Sequence, residues 1–185
     1  MIFFNAPSLL NFEQRSGFLE QWQQKTGQNV TCRTIVLFDV CSGYHHFHNR
    51  PLIGNAMLNT LEREPDNRFD RYAVKLIAPS LNLIAPNVRD SVTRERDGQR
   101  ARDIAGKCIG RLPRHLSKLI SCGLDRGEIT DAVAMFTGHI VHNRGPQLSM
   151  AYFFTFCDEE TADTLEDELV KFPPIIRDVY LSGLL

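Results

Sequence analysis

The side chains best suited to chemistry lie close together in the stretch LEREPDNRFDRYAVKL, residues 61–76. Glu64 to Asn67 is predicted to form a turn, because proline presets one backbone angle and Asp and Asn tolerate a tight corner. Such a turn carries Phe69 and Asp70 out of a strand, which places a ring that can stack beside a carboxylate that can accept hydrogen bonds. The same residues also allow a purely structural interpretation, in which Asp70 caps the turn and Phe69 packs in the core.

A second candidate cluster is the run YHHFH, residues 44–48, with three histidines in four positions. Imidazoles bind zinc, but a zinc site needs a third or fourth ligand, and the neighbouring sequence offers none at the usual spacing. We therefore expect no metal and no other cofactor. The rings of Tyr44 and His45 can stack on bases and donate to phosphates, as a reader of single strands requires. Alternatively, Tyr44 and Phe47 belong to the core and the histidines face water.

Basic residues are concentrated in the middle of the chain. Residues 87–118 hold nine Lys and Arg against four acids, whereas residues 158–185 hold eight acids against two basic residues, so the net charge of -1 hides a strong asymmetry. A helix is predicted to begin at Pro113, beside Arg111 and Arg114. The amides of its first turn and these two guanidinium groups would together form a site for an anion.

The elements that position these residues are short and of mixed type. Strands are predicted at residues 30–40, 52–61, 72–77, 129–141 and 148–156, with a sixth that ends at Gly110. Helices are predicted at residues 8–27, 115–122 and from 158 to about 172. Turns rather than regular crossover helices separate the strands. This order favours a mainly β, α+β fold, an antiparallel barrel with two to three flanking helices, over a doubly wound sheet.

The chain is predicted to contain one domain over residues 31–172, preceded by a helical extension over 1–30 and followed by an apolar tail over 173–185. Residues 87–106 contain few apolar side chains and are predicted to be a mobile insertion, whose five arginines either contact phosphates or stay in water. No apolar run is long enough to span a membrane, and the start of the chain lacks a secretory signal. We expect an intracellular protein, nuclear if its source is a eukaryote.

The stretch REPDNRFDRYAVKL resembles the signature of the HIRAN domain family. Further blocks are similar to the rest of the family pattern and stand in its order: VCSGYHHF at residues 40–47, IGRLPRHL at 109–116 and QLSMAYFFTF at 147–156. The resemblance covers roughly residues 33–172. Three positions depart from the pattern: Arg68 stands at a usual proline, Phe69 at a usual tyrosine and Leu148 where a ring is expected.

This resemblance implies a small OB-like or SH3-like barrel of six strands that captures the 3′ end of single-stranded DNA. Carried over by position, Asp70 would accept a hydrogen bond from the terminal 3′ hydroxyl, Phe69 would stack on a base and Asn67 would be a polar neighbour. Tyr44 or His45 would supply the second ring. An ionised carboxylate repels internal phosphates yet can accept a bond from a free hydroxyl, so it would select an end over a continuous strand.

The resemblance also implies that Arg111 and Arg114 contact the DNA phosphates. The family is best known as an accessory domain of helicase-like transcription factors that remodel stalled replication forks. It therefore implies a role in DNA repair, with a helicase or repair protein as a separate partner chain. The sequence contains no P-loop, G-x-S-x-G or H-E-x-x-H motif, so we expect a binding module rather than an enzyme.

Two alternatives remain open. A metal-dependent nuclease could be built from Glu64, Asp66, Asp70 and the histidine cluster, since acids near phosphates can hold magnesium. A protein-interaction module could keep the barrel without binding DNA, and its working surface would then be the acidic C-terminal helix and the apolar tail.

Overall fold

The computed structural model describes residues 34–142, 145–170 and 180–182. Within these residues the strands are β1 Thr34–Cys41, β2 Asn59–Arg63, β3 Val74–Ile77, β4 Val92–Arg94, β5 Gln99–Arg100, β6 Cys108–Arg111, β7 Ile129–His142, β8 Pro146–Phe156 and β9 Tyr180–Ser182. The helices are α1 Tyr44–Phe47, α2 Ala101–Ile104, α3 Arg114–Arg126 and α4 Glu159–Val170. None of the helices in the described ranges is long and apolar enough to cross a bilayer.

One antiparallel sheet forms the body of the domain, with strand order β6-β3-β2-β7-β8-β1-β9. The sheet curls back on itself, because Ser42 at the end of β1 pairs with Arg111 at the end of β6 through two backbone hydrogen bonds of 2.8 Å. Six strands thus form a curled half-barrel whose outer strands, β1 and β6, meet at this bridge, here called the barrel closure. Strand β9 lies against the start of β1. The predicted six-stranded, OB-like antiparallel fold with flanking helices is confirmed.

Barrel closure depends on a glycine in β6. A Cβ atom at Gly110 would lie 2.6 Å from the carbonyl oxygen of Ser42 and would also collide with the Sγ atom of Cys41. The two backbones can therefore approach closely enough to pair only because position 110 has no side chain.

The core lies inside the curled sheet, and β8 runs through it between β7 and β1. Residues of β8 alternate between two apolar clusters, because successive side chains of a strand point to opposite faces. The inner cluster receives five of them and the outer one two: Leu148, Met150, Tyr152, Phe154 and Phe156 against Ala151 and Phe153. Both faces of β8 are therefore buried over Leu148–Phe156.

Most predicted elements occur where the residue pattern placed them. The predicted helix at 115–122 is the centre of α3, and the predicted hairpin of residues 129–141 and 148–156 is β7–β8. The strand predicted from residue 52 begins only at Asn59, because Gly54 adopts a positive φ of 70° and opens a 3-10 turn over Gly54–Ala56. Residues 81–84 form a turn after β3. The predicted N-terminal helix lies outside the described residues.

Residues 87–106 were expected to form no packed element, and the structure corrects this expectation. They contain the two-stranded sheet β4–β5 and helix α2, and Thr93, Ala101 and Ile104 are buried. Two of its arginines pair with a local carboxylate and stay about half exposed: Asp90 contacts Arg100 and Arg102. The segment packs on the domain through a few buried side chains only, so it lacks the apolar periodicity that reveals packed elements.

Candidate functional site

The loop between β2 and β3, here called the signature loop (residues 64–73), has a closed backbone. The amide of Glu64 donates to the carbonyl of Ala73 at 2.9 Å, which closes the base of the loop. The amide of Asn67 donates to the carbonyl of Glu64 at 3.0 Å, so the turn expected from Pro65 and its neighbours is present. The loop therefore presents its side chains from a defined backbone.

Asn67 holds the tip of the signature loop from inside. Its side-chain oxygen accepts hydrogen bonds from the backbone amides of Phe69, at 3.0 Å, and of Asp70, at 3.2 Å. Its Nδ2 atom donates to Oε2 of Glu64 at 2.7 Å. Both the oxygen and the nitrogen of this side chain are thus bonded within the loop, and Asn67 is a positioning residue for Phe69 and Asp70.

Asp70 is half-buried, and its two carboxylate oxygens differ. Oδ1 accepts a hydrogen bond of 2.9 Å from the backbone amide of Tyr72, so Asp70 does cap the turn. Oδ2 has no hydrogen-bond partner within the part of the chain that the structure describes. One oxygen fixes the side chain, and the other can accept a hydrogen bond from a ligand.

Phe69 is the most exposed large apolar side chain of the described residues, with 97% of its surface accessible. The interpretation that placed it in the core is therefore wrong. The ring stands beside Asp70 on a loop whose backbone is fixed by Asn67. An exposed ring next to a half-buried carboxylate is the arrangement expected of a site that stacks on one group and hydrogen-bonds another.

Arg111 joins the base of the signature loop to β6. Its Nε and Nη2 atoms donate to the two carboxylate oxygens of Glu64, at 2.7 and 2.9 Å. These hydrogen bonds are the main reason that the pKa of Glu64 is lowered and the pKa of Arg111 is raised. The guanidinium carbon also lies 5.4 Å from the ring centroid of Phe47 in α1. Two of its five N–H donors are used on Glu64, so its first role is to position the loop.

Helix α3 places a basic face next to the signature loop. Arg114 is exposed at the first residue of the helix, and Lys118 follows one turn later on the same side. The Nζ atom of Lys118 lies 5.8 Å from the ring centroid of Tyr72. Arg71 packs on the same ring, with 4.6 Å between its guanidinium carbon and the centroid. Lys118 and Tyr72 were missed at the level of sequence, although the four-residue spacing from Arg114 could have indicated Lys118.

Two further contacts hold α3 in place. The Nε and Nη2 atoms of Arg63 donate to both carboxylate oxygens of Asp125 at 2.9 and 2.8 Å, and its Nη1 donates to the carbonyl of Arg71. Near the other end of the helix, Nε2 of His115 lies 2.8 Å from Oδ2 of Asp39, a fully buried carboxylate of β1. The basic face therefore has a fixed orientation relative to the loop.

The expected second ring differs from the one the structure offers. Tyr44 is only 4% exposed and belongs to the inner core cluster, so its ring is not available for stacking. His45 is half-buried and its ring lies 3.9 Å from that of His46. The ring that contacts the guanidinium of Arg111 is that of Phe47, which is partly exposed. Leu148, at the position where a further ring was expected, is fully buried.

The residues of the nuclease alternative do not gather around a common point. Within the described ranges there is no group of three or more His, Cys, Asp or Glu side chains that could hold a metal ion. The carboxylate of Glu64 is occupied by Arg111, and Asp66 is exposed at the outside of the turn.

Comparison with known proteins agrees with this architecture. No family model matches the chain, and no curated protein matches it either. Among solved structures the chain is similar to the HIRAN domain of human HLTF, with a TM-score of 0.50 and 17% sequence identity over 77% of this chain and 93% of that chain. The chain therefore has a HIRAN-like fold, and the fold implied by the sequence resemblance is confirmed.

Proposed function

We propose that this HIRAN-like domain binds single-stranded DNA between the signature loop and the basic face of α3, and that it holds the 3′ hydroxyl end. One observation carries the proposal. The Oδ2 atom of Asp70, which has no hydrogen-bond partner among the described residues, is next in sequence to the ring of Phe69, which is 97% exposed. A terminal hydroxyl would donate to this oxygen while the last base stacks on the ring. A hydrogen bond to an ionised acceptor is among the stronger kinds.

The same carboxylate provides selectivity. A phosphate placed next to Asp70 would bring two negative charges together, whereas a hydroxyl brings a donor and no charge. A strand that ends in a phosphate, or that continues past the site, is therefore disfavoured. The fixed side chain strengthens this discrimination, because Oδ1 is held by the amide of Tyr72 at 2.9 Å and cannot turn away without breaking that bond.

Cations next to the loop would attract the backbone of the strand. Arg114 and Lys118 are both exposed on one face of α3, and Lys118 reaches the ring of Tyr72. Phosphates that approach this face would release bound counterions, which makes the affinity dependent on salt. Arg111 contributes mainly by holding Glu64 and the loop, and its outer edge adds to the positive potential.

Stacking would supply affinity without a sequence preference. Each base that stacks on an aromatic side chain contributes roughly 1–3 kcal/mol in single-strand binding proteins. The loss of the phenolic hydroxyl at Phe69 leaves the stacking face intact. The proposed activity is binding alone, and any motor that remodels DNA would be a separate helicase or repair chain.

The test is fluorescence anisotropy with an oligothymidine of about 10 nucleotides, a typical site size for one OB fold. Its 5′ end carries the label, and its 3′ end is either a hydroxyl or a phosphate. The native chain is expected to bind the hydroxyl strand more tightly. In Asp70→Asn the preference should vanish, because the side chain keeps its size and the cap but loses its charge.

Asp66→Asn is the matched control, since it removes an exposed carboxylate from the same turn. It should retain the preference for the hydroxyl end. Equal binding of the two strands by the native chain would reduce the proposal to general single-strand binding, and no binding of either strand at low salt would refute it.

A further inference from the structure

A groove of about 660 Å³ lies outside the proposed DNA site and shares no lining residue with it. One wall is the segment Ser91–Arg96, which includes β4, and the other is the segment Arg50–Ile53. Leu52, Val88 and Phe136 are among the other residues that line it. Here it is called the β4 groove.

The first wall exposes the edge of a strand. Val92, Thr93 and Arg94, which are all three residues of β4, line the groove. The groove therefore runs beside the whole length of β4, Val92 to Arg94. β4 pairs with β5 on one side, and in the described ranges it has no strand on the other. An open strand edge therefore borders the groove.

The second wall is held at a fixed distance from the first. The amide of Arg50 donates to Oε1 of Gln99 in β5 at 3.0 Å. The carbonyl of His48 accepts from Arg94 Nη1 at 2.6 Å and from Gln99 Nε2 at 3.2 Å. On its barrel side this wall is anchored where Ile53 forms a parallel bridge with β7. The β4 groove is thus preformed, which lowers the entropic cost of binding a ligand between its walls.

The lining combines aliphatic and cationic groups. Ile53 is 57% exposed and Val92 is 51% exposed, so the two walls each offer an aliphatic side chain that a ligand could cover. The charged lining consists of three arginines and one acid: Arg50, Arg94, Arg96 and Glu95. Asp97 pairs with one of these arginines, so the groove keeps a small excess of positive charge. It suits apolar side chains interspersed with carboxylates.

A nucleic acid fits this lining less well than a peptide. The only aromatic ring among the lining residues is Phe136, which is fully buried and has the guanidinium of Arg50 over its face at 5.4 Å. It cannot offer a surface on which a base could stack, which single-strand readers require. An open strand edge, by contrast, presents backbone donors and acceptors that match another extended backbone.

We propose that the β4 groove binds an extended peptide of a partner protein, with alternating aliphatic and acidic side chains, which pairs with the edge of β4 as a third strand. In this mode of recognition main-chain hydrogen bonds supply affinity and alternate side chains supply specificity. The three residues of β4 span roughly 10 Å at about 3.3 Å per residue, so a short linear segment fills the site. The domain then carries a peptide site separate from its DNA site.

The probe is a fluorescein-labelled heptapeptide of alternating valine and glutamate, titrated against the full chain by anisotropy. Two matched probes accompany it: one with lysine in place of glutamate, and one with alternate amides N-methylated to block strand pairing. Affinity should fall about tenfold or more, a loss of about 1.4 kcal/mol, with either matched probe. Binding that is equal for the N-methylated probe would overturn strand pairing, and no binding at about 1 mM would overturn the site.

Val92→Asp tests the location. Val92 is half-exposed, so the substitution leaves the fold intact while it removes an apolar contact and repels an acidic peptide. Leu83→Asp is the control, because Leu83 is 69% exposed and does not line the groove. Peptide affinity should fall about tenfold in Val92→Asp only. Equal affinity in the two variants would place the peptide elsewhere.

Two more measurements separate the sites. In the native chain the amide resonances of residues 92–94 should shift when the peptide is added, a test that needs no variant. Unmoved resonances would contradict the proposal. Oligothymidine should bind Val92→Asp as well as it binds the native chain, and Asp70→Asn should still bind the peptide. Displacement of the peptide by oligothymidine would instead make the groove part of the DNA path.

Discussion

The guanidinium of Arg111 holds the carboxylate of Glu64 through two parallel hydrogen bonds of 2.7 and 2.9 Å, across 47 positions of sequence. This bond sits where the barrel closes, since the backbone of Arg111 also pairs with Ser42. Oε2 of Glu64 in turn accepts a hydrogen bond from Nδ2 of Asn67. Oδ1 of Asn67 accepts hydrogen bonds from the backbone amides of Phe69 and Asp70. The site is thus attached to barrel closure through a continuous chain of hydrogen bonds.

Glu64→Gln should reduce stability at neutral pH and leave stability at acid pH almost unchanged. The pKa of Glu64 is lowered in the fold, chiefly by Arg111, so its contribution is fully present above the ordinary pKa of 4.5 and is lost as pH falls through the lowered folded value. Both side chains are about one-third exposed, and solvent screening limits the effect to about 1 kcal/mol or less.

Urea unfolding of the native chain and of Glu64→Gln over a pH series measures this linkage. The control is Glu62→Gln, which removes a more exposed carboxylate whose contact with Lys75 is 3.3 Å. A pH-independent difference between native and Glu64→Gln would show that the pair contributes through packing rather than through charge.

Asn67→Ala should loosen the tip of the signature loop. It removes the acceptor for the amides of Phe69 and Asp70 and leaves Glu64 without one donor. Hydrogen exchange at those two amides should accelerate, and global stability should fall by about 1–2 kcal/mol. Affinity for single-stranded DNA should fall although no proposed DNA contact is deleted. Asp66→Ala, in the same turn but exposed, serves as the control. Unchanged hydrogen exchange at the amides of Phe69 and Asp70 in Asn67→Ala would contradict the positioning role of Asn67.

Arg114→Ala and Lys118→Ala should each weaken DNA binding in a salt-dependent way. For each phosphate that the protein no longer neutralises, the slope of log affinity against log salt becomes shallower by about 0.7 on single strands. Anisotropy titrations at several KCl concentrations give this slope directly. Arg126→Ala is the matched control, because it removes a cation from the far end of the same helix, where Glu128 already pairs with it. If all three variants share one slope, the basic face is not where the strand lies.

Residue types alone predicted much of the architecture, because its determinants are local. Proline, Asp and Asn set the turn at residues 64–67, and period-two apolar residues mark β7 and β8. Pro113 and the apolar spacing behind it mark the start of α3. These features need no knowledge of distant partners.

The remaining features depend on tertiary contacts that no local pattern encodes. Tyr44 has the residue type of a stacking ring, yet α1 turns it into the inner core cluster, where it is only 4% exposed. Arg111 has the charge of a phosphate contact, yet a carboxylate 47 residues away occupies it. Residues 87–106 are anchored by only three buried side chains, Thr93, Ala101 and Ile104, which are too few and too widely spaced to give a periodic signal. Site geometry was therefore less predictable than strand positions.

Phe69 allows function to be separated from stability. Its ring is 97% exposed, so Phe69→Ala removes almost no buried surface and should leave the urea midpoint unchanged. Loss of one stacking platform should nevertheless weaken oligothymidine binding by roughly 5- to 150-fold, corresponding to about 1–3 kcal/mol. Phe69→Tyr keeps the ring and should bind as the native chain does or better. Anisotropy and unfolding measured on the same preparations decide the matter: if Phe69→Ala binds like Phe69→Tyr, the ring does not contact the strand, and the proposed interface must be moved off the tip of the signature loop.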